Sequence, residues 1–162
     1  MITVQSKTWV PNLRGAQVIE YLLHCDDAAY QRWWPGTHLH MRVTEGDPSG
    51  LGSIVSMDEM IGDRRLRMTG VVTEIVPGKK LVWQLGTVVR LPGRLVLELE
   101  DDADGVTITH TVEAGLAGAG RIFDPLIRLY VTPKFARALD AHVKTEFPKL
   151  GELLAASPAT AA

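Results

Sequence analysis

The chain has 162 residues, with 17 Lys and Arg against 19 Asp and Glu, a formal charge of −2. An apolar share of 46% and a charged share of 22% are those of an ordinary globular domain and exclude a disordered polymer. The balanced charge argues against nucleic acid or an anionic membrane as an obligate partner, and no stretch approaches the ~20 apolar residues of a membrane-spanning helix.

The first residues, MITVQSKTWV, lack the basic start and apolar run of a signal peptide, so the expectation is a cytoplasmic chain. One cysteine, Cys25, cannot form an internal disulfide, which suits a reducing compartment. Ile2–Val10 alternates and is rich in Val, Thr and Trp, which predicts a strand ended by Pro11. Gly15–His24 carries Val18, Ile19, Leu22 and Leu23 at helical spacing. Asp26 or Asp27 can cap a second short helix, which holds Tyr30, Trp33 and Trp34 and must end before Pro35.

A strand-rich middle follows. The expected strands are His38–Thr44, Ser53–Ile61, Arg65–Val76, Lys80–Val89, Arg94–Glu100 and Val106–Ala114. Their separators carry turn chemistry, among them Gly62-Asp63, Pro77-Gly78, Pro92-Gly93 and Asp104-Gly105. Strands joined by such short turns make an antiparallel meander, seven strands with the first. After Gly120 the period becomes helical. Asp124-Pro125 and Thr132-Pro133 each read as an N-cap followed by proline at the first helical position. The second of these helices is long and aligns Phe135, Leu139, His142, Val143, Phe147, Leu150 and Leu154 on one stripe, with Pro148 expected to kink or break it. Lys134, Arg137, Asp140, Lys144 and Lys149 fall on its exposed side. Residues 1–154 thus form one domain, and the Ala-rich end, 155–162, reads as a disordered tail.

This α+β order is a strand, two short helices, six strands and a long C-terminal helix. Together with YQRWWPGTH (Tyr30–His38), GVVTEIVPGKKLVWQL (Gly70–Leu85), DGVTITHTVEAG (Asp104–Gly115) and LDAHVKTEFPKL (Leu139–Leu150), it resembles the helix-grip fold of the START-like, or SRPBCC, superfamily. That superfamily includes birch-pollen allergens and the polyketide cyclase/dehydrase and lipid-transport proteins. The resemblance implies a seven-stranded antiparallel sheet wrapped around the terminal helix, with an apolar cavity between them. It carries over no catalytic residue.

Within that frame, alternation on the last strand turns Val106, Ile108, His110 and Val112 to the core and Thr107, Thr109, Thr111 and Glu113 outward. His110 is therefore either a core histidine tied to a neighbour or a polar group in the cavity, held neutral by apolar surroundings. His142 lies on the inner edge of the long-helix stripe, with Glu146 four residues on. Either the two are a helix-edge pair, or His142 meets His110 across the cavity with Glu146 orienting it, an arrangement suited to proton transfer. His38 and His40 are two apart on a strand and are expected on one face with Arg42, whose charge opposes a cation; the pair reads as solvated or at the cavity rim, with His38 among the ligand-binding residues, and no metal site is assigned. Trp33 and Trp34 are expected to give one indole to the cavity and one to its rim, and Phe135 and Leu139 to line it from the helix. Trp83 is expected to face inward, although a two-residue turn at Pro92-Gly93 would put Gln84 inside unless a bulge sits at Gly86.

Other motifs fail. Glu100, Asp102, Asp104 and Gly105 mimic the front of a calcium loop, but its twelfth position is Thr111. Gly115–Gly120 is glycine-rich without a following Lys-Ser/Thr, so it reads as a flexible lead into the terminal helices, and a gate for the cavity at most. Cys25 has no electropositive partner and reads as a buried small hydrophobe. Arg64, Arg65 and Arg67 read as a solvated strand end. Two functions lead: a carrier of a lipid, polyketide or aromatic metabolite, and a polyketide cyclase/dehydratase-like enzyme using His110 or His142; a third, a protein-interaction module using an exposed sheet face, is lowered by the solvated Thr and Glu residues of the last strand. No cofactor is implied, and the chain is expected as a monomer or homodimer.

Overall fold

In the computed structural model, which describes residues 2–44, 46–87, 93–115 and 131–156, the elements follow the expected order. They are β1 (Ile2–Pro11), α1 (Gly15–Leu23), α2 (Asp27–Trp33), β2 (His38–Thr44), β3 (Ile54–Ile61), β4 (Arg64–Val76), β5 (Lys80–Thr87), β6 (Gly93–Asp101), β7 (Gly105–Ala114) and α3 (Pro133–Ala156). The seven strands form one sheet in the order β1-β7-β6-β5-β4-β3-β2, and every neighbouring pair is antiparallel. The meander from β2 to β7 uses adjacent hairpins, and β1 closes onto β7 across the whole chain. This is the helix-grip arrangement.

Local chemistry fixes the helices. Asp26 caps α2, accepting from the Ala29 amide at 2.8 Å. Asp27 instead accepts from the Met41 amide at 2.8 Å and ties α2 to β2. Thr132 caps α3 by accepting from the Phe135 amide at 3.1 Å. The inner stripe of α3 buries Phe135, Leu139, His142, Val143, Glu146, Phe147 and Leu150 in the same core as the sheet. Glycine at 151 permits close approach to β1, because a Cβ there would meet Val10 Cγ1 at 2.7 Å.

Several expectations need correction. Pro148 does not break α3, which runs continuously from Pro133 to Ala156. Proline removes one hydrogen bond, and Phe147 and Leu150, both buried, anchor the helix on either side of it. The helix also takes in Ala155 and Ala156, which the sequence assigned to the tail. Asp140 and Lys149 are half-covered rather than exposed: Asp140 pairs with Lys144 at 2.8 Å, and the Lys149 ammonium lies 5.8 Å from the Trp34 ring centroid. Trp83 faces the core and Gln84 points out. The pairs Trp83↔Leu95 and Leu81↔Leu97 keep one parity without a register shift, and the bulge of this region lies on β4 between Val72 and Glu74, not at Gly86. The short helix expected at Pro125, the glycine-rich lead beyond Gly115, the Pro92 turn position and positions 157–162 lie outside the described residues.

Cys25 is buried, and burial pushes its thiol up to about 12, as suits a packed hydrophobe. Arg65 and Arg67 both bind Asp58 on the outer face of β3, at 2.7–3.0 Å. Among the described residues no helix is long and apolar enough to cross a membrane.

Candidate functional site

A cavity of about 80 Å³ lies between α3 and the inner face of the sheet. Trp33, Trp83, His110, Phe135, Leu139 and His142 all line it. Its wall on the β4–β6 side is apolar, built by Leu66, Met68, Leu85, Leu95 and Leu97 around Trp83. Tyr30, Glu59, His142 and Glu146 make the opposite wall polar. A larger depression of about 1040 Å³ lies outside, between the α1–α2 corner and the β2–β3 connection. It is open and rimmed by charged groups such as Glu20, Asp26, Asp27 and Arg42, so it lacks the enclosure of a hydrophobic site.

The polar wall comes from two residue pairs facing each other. His38 and Glu59 stand directly opposite on β2 and β3, and both point inward. His142 and Glu146 are one turn apart on α3. His38 Nε2 is 3.2 Å from Glu146 Oε1 and 4.0 Å from Glu59 Oε2. His142 Nε2 is 3.5 Å from Glu59 Oε2 and 3.7 Å from Glu146 Oε2. At those separations the His142 contacts are electrostatic attractions, longer than formed hydrogen bonds. The Glu59 carboxylate, the His38 ring and the α3 backbone at Glu146 are held from behind. The Tyr30 hydroxyl donates to Glu59 Oε2 at 2.8 Å, His38 Nδ1 lies 3.1 Å from the Tyr30 carbonyl, and the Trp33 indole N–H donates to the Glu146 carbonyl at 2.7 Å. Tyr30 stacks flat on His38 at 3.9 Å between centroids, and Trp34 covers His142 at 4.8 Å.

Electrostatics follow from this packing. Burial alone would raise the Glu59 carboxyl, but attraction to His142 and the Tyr30 hydrogen bond outweigh it and hold it below its ordinary value. Burial opposes the charge on His142, yet Glu59 and Glu146 prevail and raise it. Burial, then the negative charge of Glu59, pushes the Tyr30 phenol well above its usual value. His110 goes the other way: burial dominates and lowers it, as its apolar neighbours predict.

The His38/His40 expectation is overturned. A bulge between the two residues turns His38 and Met41 inward and leaves His40 and Arg42 outside, where His40 Nδ1 sits 2.7 Å from Asp27 Oδ1. His38 lies behind the cavity wall, packed among Tyr30, Trp33 and Trp34, and Trp34 is the half-buried lid over His142. The charged groups closest to His142 are Glu59 and Glu146, and the imidazole that joins them is His38; His110 lines the same cavity without being one of this cluster. Glu59 is the residue the sequence reading missed. Its signal was present, because it shares parity with Val55, Met57 and Ile61 on a strand whose inner set is otherwise apolar.

The model of the family described as "Polyketide cyclase / dehydrase and lipid transport" matches residues 1–145. The chain belongs to that family. Among solved structures, the Staphylococcus aureus protein SA2116, of unknown function, is similar at 11% identity with a TM-score of 0.63, covering 95% of this chain and 93% of its own. ChR145 from Cytophaga hutchinsonii is 15% identical with a TM-score of 0.58, covering 96% and 94%. The major latex-like protein 151 of Panax ginseng is 12% identical with a TM-score of 0.56, covering 87% and 96%. These likenesses establish the fold alone. No curated protein matches the chain.

Proposed function

We propose that this family member binds a small hydrophobic molecule, an aromatic or polyketide-like metabolite with one or two oxygens, in the cavity under α3. The observation that carries the reading is the segregation of that cavity into an apolar wall and a polar wall. Such a site holds a ring by burial and orients it by a few hydrogen bonds. Two further nitrogens support it. Trp83 Nε1 and His110 Nδ1, both buried in residues that line the cavity, have no hydrogen-bond partner and suit a ligand oxygen. At about 80 Å³ the cavity fits a compact group, whereas drug-sized ligands occupy ~300 Å³ or more. A larger ligand must therefore displace side chains. Met41, Met57 and Met68 line the space, and their unbranched thioethers move at low cost. This favours a compact ring system over a long acyl chain.

The test pairs native mass spectrometry of the purified chain with a fluorescence titration using 2-naphthol as the probe. Quenching of tryptophan emission is expected, and His110→Ala is expected to weaken binding several-fold with the fold intact. No quenching and no co-purified mass would remove the reading. The enzyme alternative, a cyclase or dehydratase in the same cavity, is favoured by one feature: an imidazole and a carboxylate 3.5 Å apart on the ligand-facing wall. It requires turnover that disappears in His142→Ala while naphthol binding persists.

A further inference from the structure

The inner ends of His38, Glu59, His142 and Glu146 converge more closely than ligand binding requires. One donor atom from each lies within 4.8 Å of all the others, and all four residues are buried. His38 is 1% exposed and His142 6% exposed, and the Nε2 of each has no hydrogen-bond partner. Buried ring nitrogens are normally paired. Here both are aimed at carboxylate oxygens.

The tautomer of His38 sharpens the point. His38 Nδ1 faces the Tyr30 carbonyl at 3.1 Å, so the ring proton belongs there and the Nε2 lone pair faces Glu146 Oε1 at 3.2 Å. With that ring neutral, an acceptor faces an acceptor across the cluster, which needs a cation between them, a shared proton or a metal ion. Among the described residues no Lys or Arg pairs with Glu59 or Glu146. Two carboxylates buried together are costly unless such a cation offsets them.

We propose that His38, Glu59, His142 and Glu146 bind one divalent first-row transition-metal ion, zinc or iron(II) in kind. Two imidazoles and two carboxylates without a thiolate suit these ions. A tetrahedral shell with ~2.0–2.1 Å bonds sets its donors about 3.3–3.4 Å apart. The imidazole–carboxylate contacts of 3.2, 3.5, 3.7 and 4.0 Å, which use both Glu146 oxygens, lie around that value, and one donor per residue keeps all four within 4.8 Å, so the side chains close in when an ion binds. The outer partners are those that metal-binding side chains use: a backbone carbonyl on the ring N–H of His38 and a phenol on Glu59. Glu59, His142 and Glu146 also line the cavity, so a ligand oxygen there could reach the ion; this last clause rests on the ligand reading, and the metal site itself does not.

The full chain, stripped with EDTA and dialysed, is titrated with Zn²⁺ by calorimetry, and its metal content is measured by mass spectrometry. One Zn²⁺ per chain is expected. Co²⁺ should give visible d–d absorption and paramagnetically shifted imidazole resonances from two histidines. His142→Ala and Glu146→Gln should each weaken Zn²⁺ by well over ~100-fold, beyond the ~10–100-fold that loss of an outer partner costs, while His40→Ala on the exposed Asp27 pair changes nothing. Should a variant fail to fold, the two shifted imidazoles of the wild-type Co²⁺ form carry the assignment. A folded wild type that takes up no stoichiometric Zn²⁺ or Co²⁺ overturns the site, as does unchanged affinity in both folded variants. Proton sharing then accounts for the cluster. Naphthol quenching without metal is scored separately, so loss of either reading leaves the other standing.

Discussion

The two walls of the cavity solve opposite problems with the same backbone. On the β4–β6 side, Leu66, Met68, Trp83, Leu85, Leu95 and Leu97 present apolar atoms from regular strands, where parity alone decides what faces in. The β2–β3–α3 side instead buries two carboxylates and two imidazoles; the Tyr30 hydroxyl and carbonyl hold Glu59 and His38, and Trp33 ties α3 through the backbone carbonyl of Glu146. An apolar wall is stabilised by area removed from water and tolerates shape change at a graded cost. A polar wall is stabilised only while every partner is present, because each orphaned group keeps its full desolvation cost. The first should therefore fail gradually, and the second at single atoms.

The largest effect is expected from the helix residue that faces the apolar wall. Leu139 is buried on the inner stripe of α3 and lines the cavity. Leu139→Ala should lower stability by ~2–5 kcal/mol, read as a shift in the denaturant midpoint, and should enlarge the cavity at the same time. An unchanged midpoint would mean that α3 does not grip the sheet through this stripe.

Next comes a one-atom change on the polar wall. Tyr30→Phe keeps the ring stacked on His38 and removes only the hydroxyl that donates to Glu59 at 2.8 Å. Loss of ~1–3 kcal/mol is expected, a large figure for one oxygen, because the acceptor is buried and charged. A neutral outcome would show that water or another donor replaces the phenol, and the contrast between the walls would weaken.

The same contrast explains what was legible in the sequence. Element order, sheet direction, the inward turn of His110 and the stripe Phe135, Leu139, Val143 and Phe147 all follow from periods of 2 and 3.6, which burial enforces. The polar wall was readable only in parts. His142 and Glu146 share a helix face, so their spacing disclosed them. His38 was paired with the wrong histidine, because a bulge changes parity and nothing in Leu39 announces it. Glu59 carried a parity signal but joins His142 only through the tertiary approach of α3 to β3. A cluster drawn from three elements has no spacing of its own. Pro148 misled for a related reason: local propensity argues for a break, while the packing of Phe147 and Leu150 overrides it.

The smallest effect should come from a carboxylate that faces water, which separates burial from hydrogen bonding as the source of the polar wall's sensitivity. Asp102, in the β6–β7 turn, accepts from the Asp104 amide at 2.9 Å, the Gly105 amide at 2.7 Å and the Trp9 indole N–H at 2.8 Å. The Asp104 amide first, then the Trp9 and Gly105 donors, hold its carboxyl below the ordinary aspartate value. A carboxyl lowered on folding contributes stability above its unfolded value of ~3.9, and that contribution is lost as pH falls through the folded value. Between pH 7 and 5 the denaturant midpoints of wild type and Asp102→Asn should therefore keep a constant, small separation. Below about pH 4 the wild type should lose its advantage and the two should converge. Solvent screens this group, so the separation should stay well below that of Tyr30→Phe despite one acid with three donors. A separation as large as the Tyr30 effect would mean that hydrogen bonding alone, without burial, sets the cost, and the distinction between the buried wall and the exposed turn would fall.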